Sequence, residues 1–196
     1  MIMLKKEPGR LEVICGSMFS GKSEELIRRL NRANFARLKV ITFKHSLDKR
    51  TAIEHVASHN GNTVFAIPLE NPQDMLSIVN PEIDVVGIDE IQFFSLDVVS
   101  VVCKLIELGK RVVVAGLDLD FKGVPFGCMP LLMSIADDVT KLKAICIDCG
   151  HDAHFTQRLV NGNPAKFDDP IILVGAQESY QARCRTCHII DKQPIF

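Results

Sequence analysis

An eight-residue segment near the N-terminus has the residue types and spacing of a phosphate-binding loop. It fits the pattern G-x-x-x-x-G-K-[ST] at every specified position. Glycines let consecutive backbone N–H groups turn inward around a phosphate, and a helix that follows such a loop directs its positive end at the same anion. The lysine can supply charge to the outer phosphates, and the last serine can offer its hydroxyl to Mg²⁺. The segment therefore predicts binding of a nucleoside triphosphate. Its residues are Gly16, Ser17, Met18, Phe19, Ser20, Gly21, Lys22 and Ser23.

Two adjacent acids, Asp89 and Glu90, follow a short apolar run at residues 85–88. In a phosphate-loop protein, an Asp at such a strand end binds Mg²⁺ directly or through water. Glu90 is then available as a base. If it activates water, the protein is an ATPase; if it takes a proton from a substrate hydroxyl, the protein is a kinase. The sequence lacks the N-K-x-D motif of guanine-specific proteins.

Four of the seven cysteines form two C-x-x-C pairs, a spacing that suits a metal site in a reducing compartment. Four thiolates complete a tetrahedral Zn²⁺ site and leave no position for water, so the predicted zinc is structural. Free thiols or a redox pair are the alternative. His188 adjoins the last cysteine and could replace it as a ligand, whereas His151 and His154 are interpreted as loop residues. The four predicted ligands are Cys146, Cys149, Cys184 and Cys187.

The elements that must position these groups alternate between strands and helices. Such alternation predicts an α/β fold with a doubly wound, mostly parallel sheet, whose ligands bind at the carboxyl ends of the strands. Residues 44–61 are polar and predict a loop. Strands are predicted at residues 11–15, 38–43, 63–67 (closed by Pro68), 85–89 and, as the last core strand, 111–116. Helices are predicted at residues 22–37, at 72–79, and from a cap at Ser95 to Leu108.

Composition places limits on the domain organisation and on the partners. The chain has 196 residues, enough for one α/β domain and a small appendage. The sequence pattern changes after about Lys143, where the two cysteine pairs begin. This change predicts a phosphate-loop domain at 1–143 and a zinc-binding domain at 144–196. A net charge of -1 gives no reason to expect nucleic acid or an anionic membrane as partner. We see no membrane span or signal peptide and expect a cytoplasmic protein. The other cysteines, Cys15, Cys103 and Cys128, are expected to be packing residues.

Several ordered motifs together resemble the type II thymidine kinases, over nearly the whole chain from about Gly9 to Ile190. These motifs are the phosphate loop, Asp89-Glu-Ile-Gln-Phe-Phe94, Leu117-Asp-Leu-Asp-Phe121 with Pro125-Phe126-Gly127, the two cysteine pairs, and Gly175-Ala-Gln-Glu-Ser-Tyr180. The resemblance implies transfer of the ATP γ-phosphoryl group to the 5′-hydroxyl of thymidine. It also implies a homotetramer, and ATP with Mg²⁺ as well as structural Zn²⁺ as cofactors.

The resemblance implies roles for particular residues. Glu90 matches the family's catalytic glutamate and would be the general base, while Asp89 and Gln92 would contribute to the ATP and Mg²⁺ site. Arg50, in the polar loop, could meet phosphate oxygens or be a solvated loop charge. Residues 171–175 resemble a lasso-like loop whose backbone binds the base. The implied thymidine-binding residues are Phe93, Leu117, Phe121, Phe126, Thr156, Ile171, Ile172, Leu173, Val174, Gly175 and Tyr180, with Arg50.

Two alternatives accompany these assignments. Each aromatic residue could instead pack in the core; for Phe93 and Phe121 we favour the pocket, because both adjoin polar site segments, and for Phe94 we favour the core. The whole chain could be a zinc-ribbon ATPase that binds nucleic acid. The near-neutral charge and the phenylalanine-rich acceptor region favour the thymidine kinase interpretation.

Overall fold

The computed structural model describes residues 9–47, 55–57, 63–171 and 178–190 of the chain. In these ranges the strands are β1 (Arg10–Gly16), β2 (Val40–His45), β3 (His55–Ala57), β4 (Thr63–Phe65), β5 (Ile67–Leu69), β6 (Val85–Asp89), β7 (Arg111–Gly116), β8 (Asp138–Leu142), β9 (Ala144–Ile145), β10 (Asp152–Ala153), β11 (Phe155–Val160), β12 (Asn163–Pro164) and β13 (Glu178–Arg183). The helices are α1 (Lys22–Phe35), α2 (Asp74–Ile78), α3 (Val98–Glu107) and α4 (Met129–Ile135). No helix in the described ranges is long and apolar enough to cross a bilayer.

The main sheet has six strands in the order β5-β2-β6-β7-β1-β8, and all neighbouring strands are parallel. Successive residues of its central strands face two separate apolar layers, so the strands are buried on both sides. Leu26 and Leu30 of α1 pack on one face against Ile14 and Val113. Helix α3, with α2 and α4, covers the other face. The predicted α/β fold with a mostly parallel sheet is therefore confirmed.

Some predicted boundaries were wrong for local physical reasons. Residues 63–67 form parts of two strands: β4 pairs with β3, and β5 joins the main sheet. Pro68 does not close a strand but lies inside β5, at the sheet edge, where a missing N–H is tolerated. Ser95 is not a side-chain cap, because α3 begins at Val98 after Asp97. The helix predicted at 22–37 ends at Phe35.

Strands β3 and β8 and helix α4 were not predicted. Strand β8 pairs with β1 at the opposite edge of the sheet, beyond the strand predicted to be the last. It is half exposed and carries Asp138, Thr140 and Lys141, so it has no apolar run to recognise. Helix α4 has only 7 residues and begins directly after the loop that contains Gly127. Strand β3 lies inside the segment predicted as a loop, which also begins within β2.

After β8 the chain forms small antiparallel sheets. Strand β11 pairs with β12 on one side and with β13 on the other, and β9 pairs with β10. Asn161 and Gly162, between β11 and β12, both have positive φ, as a tight hairpin requires. These strands bring the segment after Lys143 against the phosphate loop.

Candidate active site

The phosphate loop connects β1 to α1 at the carboxyl end of the sheet, as predicted. Gly16 has φ +140, and a Cβ there would come within 2.3 Å of the Leu142 carbonyl oxygen, so only glycine fits. Gly21 is left-handed and immediately precedes the helix. The buried Lys22 donates a hydrogen bond from Nζ to the Ser17 carbonyl at 2.8 Å. The side chain of Lys22 therefore lies against the backbone of its own loop.

The predicted Mg²⁺ residues come together from separate elements. The Ser23 hydroxyl, in the first turn of α1, donates to Asp89 Oδ2 at 3.0 Å. Asp89 Oδ1 accepts the backbone N–H of Glu90 at 3.0 Å. A hydroxyl and a carboxylate in contact are hard oxygen ligands of the kind Mg²⁺ binds together with substrate phosphates. The residues present thus fit the predicted ion.

Glu90 has an uncommon backbone conformation, and its carboxylate is hydrogen-bonded to the residue two positions along the chain. It is buried and has a left-handed backbone, φ 51, which is strained for a non-glycine residue. The amide of Gln92 donates from Nε2 to Glu90 Oε2 at 2.5 Å, while its Oε1 accepts the N–H of Leu117 at 3.1 Å. Gln92 therefore links the carboxylate to the end of β7. In the sequence it was interpreted only as an ATP and Mg²⁺ residue.

Glycines at two other positions make room for Gln92. A Cβ on Gly116 would come within 2.5 Å of Gln92 Oε1, and one on Gly127 would come within 2.5 Å of its backbone oxygen. Gln92 itself is almost completely buried. Gly116 thus packs against the side-chain amide of Gln92 and Gly127 against its backbone, so that both parts of this residue are confined by distant segments.

The predicted aromatic residues separate into groups. Phe93 and Phe126 meet edge to face with ring centroids 5.7 Å apart, and Phe93 also lies 6.2 Å from the ring of His45. Phe94 is buried in the main core, as expected. Phe121 is buried, and its ring is covered by the guanidinium of Arg158 rather than by another aromatic ring. Phe93 and Phe126 are therefore the pair that the fold brings together.

The C-terminal sheets contact the phosphate loop directly. The backbone N–H of Met18 donates to Thr156 Oγ1 at 3.0 Å. The Ser17 hydroxyl donates to the Ala153 carbonyl at 3.3 Å. Thr156, which the sequence resemblance assigned to the nucleoside, thus supports the backbone of the loop from β11.

The remaining predicted nucleoside residues are only partly described. Ile171 has an exposed side chain, and its carbonyl accepts a hydrogen bond from Arg158 at 3.2 Å. Tyr180 lies in β13, opposite Arg158 in the β11 ladder. Leu117 follows β7 and donates its N–H to Gln92. Arg50, Ile172, Leu173, Val174 and Gly175 lie outside the described residues.

The four predicted metal ligands form one cluster. The sulfur atoms of Cys146, Cys149, Cys184 and Cys187 all lie within 4.8 Å of one another, although the two pairs come from distant parts of the chain. Four soft ligands at this separation fit a structural zinc site. His188 is not needed as a substitute, because its Nε2 lies 2.9 Å from the Phe121 carbonyl oxygen and its ring stacks on Phe155.

The thiols of this cluster differ in acidity. Burial opposes ionisation of Cys146, but hydrogen bonds from the backbone of Cys184 and Cys149 and from neighbouring thiols bring its pKa down to about 6. The neighbouring thiols of Cys149 and Cys184 raise the pKa of Cys187 to about 12. Several negative charges cannot share so small a volume without a cation. Zn²⁺ would remove this repulsion, because it binds thiolates and offsets their charge.

Comparison with known proteins assigns the family. The thymidine kinase family model matches residues 9–188. This chain belongs to the thymidine kinase family. The match runs from the start of β1 through the second cysteine pair, and it supports the predicted resemblance to type II thymidine kinases. Among solved structures, this thymidine kinase family member is similar to the flagellar accessory protein FlaH from Methanocaldococcus jannaschii. The two have 15% identity and a TM-score of 0.49, over 74% of this chain and 76% of that chain.

Family membership makes the chain a kinase, and the structure adds interactions that the sequence did not reveal. The bond from Gln92 to Glu90 joins residues whose side chains could have pointed apart. Arg158 was not singled out at all. The sequence offered one indication of its role. Arg158 lies two residues after Thr156 in a strand, so the two side chains lie on the same face.

Proposed function

We propose that this protein is an ATP-dependent thymidine kinase that transfers the γ-phosphoryl group of ATP to the 5′-hydroxyl of thymidine, giving thymidine monophosphate. One observation carries the proposal. A phosphate loop with its serine on Asp89 lies beside a carboxylate, Glu90, that Gln92 holds in place. An alcohol that attacks a phosphoryl group must lose its proton, and a fixed carboxylate can accept it.

The donor side of the site uses the loop and the end of β6. The backbone N–H groups of the loop and the ammonium of Lys22 bind and orient the ATP phosphates. Ser23 and Asp89 would hold Mg²⁺, which when bound neutralises charge on the phosphates. The hydrogen bond from the Met18 backbone N–H to Thr156 supports the position of the phosphate loop.

The acceptor side begins at Glu90. Its carboxylate takes the proton of the thymidine 5′-hydroxyl, and the amide of Gln92 fixes the direction in which that carboxylate points. The rings of Phe93 and Phe126 offer apolar faces to a flat pyrimidine. Leu117, Phe121, Tyr180, residues 171–175 and Arg50 complete the proposed nucleoside site.

The C-terminal part of the chain supports both sides. We propose a division near Lys143, since β8 ends in the main sheet at Leu142 and β9 starts the small sheets at Ala144. Zinc would fix the two cysteine turns and with them the strands that touch the phosphate loop. Assembly as a homotetramer is a further proposal and rests on the family alone.

The proposal is tested by following radiolabel from γ-labelled ATP into thymidine, with other nucleosides, DNA and RNA as alternative acceptors or activators. Wild-type protein should label thymidine. Glu90→Gln should lose most turnover and keep its ATP affinity, because it removes the base and leaves the loop intact. Glu82→Gln is the matched control, since that carboxylate is exposed and pairs only with Lys39 among the described contacts. ATP hydrolysis that depends on nucleic acid, with no labelled thymidine, would indicate the ATPase instead.

A further inference from the structure

A completely buried arginine lies between two segments that the proposed function assigns to the nucleoside. Arg158 has an exposed fraction of 0% and sits in β11. Its guanidinium carbon is 3.7 Å from the centroid of the Phe121 ring. From the same group, Nη1 donates to the carbonyl oxygens of Pro170 at 2.6 Å and Ile171 at 3.2 Å. One side chain therefore contacts Phe121 and the first residue of the predicted nucleoside-binding run.

Packing does not explain why this residue is an arginine. Its Nε and Nη2 atoms have no hydrogen-bond partner among the described residues. The carboxylate of Asp169 is 3.7 Å from Nη2, close enough for charge attraction but too far for a hydrogen bond. Burying N–H groups without partners destabilises a fold, and the two carbonyl bonds of Nη1 offset only part of that cost. Local features that cost stability are commonly found at functional sites.

The surroundings of Arg158 indicate what it serves. On β13, the residue opposite Arg158 is Tyr180, a third residue assigned to the nucleoside. Two positions earlier on the same strand, Thr156 supports the phosphate loop. Strand β11 thus has one side chain toward the ATP loop and a second toward the segments proposed to hold thymidine.

We propose that Arg158 is a positioning residue for thymidine: it fixes the Phe121 ring and the start of the 171–175 run relative to each other. The inference rests on the proposed function for the identity of the ligand. A guanidinium is suited to this role because it is planar, so it can stack on a ring and bind two carbonyls at its edge. A lysine has a single flexible ammonium and cannot do both.

The test compares Arg158→Met with Arg158→Lys. In Arg158→Met the KM for thymidine should rise about tenfold or more, while kcat and the KM for ATP change less than about threefold. Arg158→Lys should lie between this variant and the wild type, because it restores charge and one donor but no planar face. The melting temperature of Arg158→Met should differ little from that of the wild type, since the variant removes unpartnered N–H groups but also leaves the Pro170 and Ile171 carbonyls without their donor.

Gln157→Met is the matched control. Gln157 is the adjacent residue on β11 and is also buried. Its amide accepts the N–H of Ile189 and donates to the backbone carbonyl of Arg158, and neither of these bonds reaches Phe121 or Ile171. Gln157→Met should lower the melting temperature without raising the KM for thymidine. If Arg158→Met and Gln157→Met both raised the KM values for ATP and thymidine in proportion to their loss of stability, Arg158 would have only a structural role. An unchanged thymidine KM in folded Arg158→Met would also overturn the inference.

A second measurement separates failure of the inference from failure of the proposed function. If wild-type protein does not phosphorylate thymidine, the proposed function is wrong whatever Arg158 does. Hydrogen exchange of the ligand-free protein then tests whether Arg158 holds the Phe121 ring and Ile171 in place. Amides in residues 165–171 and 117–126 should exchange faster in Arg158→Met than in the wild type, while those of α3 should not change. Equal exchange in all three regions would refute the positioning role.

Discussion

Replacing Gln92 by methionine tests how the proposed base is held. Methionine has nearly the same length but no amide, so Gln92→Met removes the bond to Glu90 Oε2 and the bond from Leu117. A hydrogen bond to a charged group contributes about 1.5–3 kcal/mol. At about 1.4 kcal/mol for each factor of ten, losing that contribution from the transition state lowers kcat by roughly 10- to 100-fold. The KM for ATP should change little, because the phosphate loop loses no contact. The KM for thymidine should rise less than kcat falls, because Leu117, a proposed nucleoside residue, loses its hydrogen bond to Gln92.

The assay is steady-state phosphorylation of thymidine, with thermal denaturation as a parallel measure of folding. Leaving the Leu117 N–H without a partner costs about 1–3 kcal/mol, so a lower melting temperature is expected as well. Cys128→Ala is a matched control, since its thiol donates to the carbonyl of Ile91, next to Gln92, without contacting Glu90. It should lose stability and keep kcat.

A double-mutant cycle gives the decisive comparison. If Gln92 acts through Glu90, adding Gln92→Met to Glu90→Gln should cause no further loss of kcat. A loss of the same size in both backgrounds would refute the positioning role. A normal kcat with a raised KM for ATP would return Gln92 to the ATP site, as the sequence resemblance implied.

Three further outcomes follow from the contacts of the described residues. Thr156→Val leaves the Met18 N–H without its acceptor, so the KM for ATP should rise by roughly 3- to 10-fold, and an unchanged value would show that the contact is unimportant. Removing zinc with a selective chelator in excess Mg²⁺ should weaken binding of ATP as well as thymidine, because β10 and β11 contact the phosphate loop. A normal ATP affinity measured by calorimetry after zinc removal would contradict this prediction. Burial opposes ionisation of Glu12, but Arg111 and other arginines hold the pKa of its carboxyl below the ordinary 4.5. The ionised carboxylate therefore stabilises the fold above pH 4.5, and this stabilisation is lost as the pH falls through the lowered pKa of the folded state. Urea unfolding should accordingly show a deficit for Glu12→Gln at pH 7 that shrinks in acid, and a deficit independent of pH would exclude the ionic explanation.

Local patterns in the sequence predicted most of the main sheet. Strands β6 and β7 were predicted with their observed bounds, and β1 nearly so, because continuous apolar runs are characteristic of strands buried on both faces. Edge elements were harder to predict. Strand β8 lies at the edge of the sheet, is half exposed and carries polar residues. Pro68 lies inside β5, although proline is a residue that commonly ends a strand. Periodicity is informative only where burial is two-sided or strictly alternating.

The chemistry of the individual groups was also determined by the sequence. A phosphate loop works through adjacent backbone amides, and each cysteine pair is a single turn, so spacing along the chain is enough to predict them. Tertiary structure decided which of these groups act on one another. The contact between Met18 and Thr156 joins residues 138 positions apart. Arg158 likewise reaches Phe121 from a different element, and Gln92 links Glu90 to Leu117, 25 positions further along the chain. Such contacts depend on the register and packing of whole strands, which no local run of residues specifies.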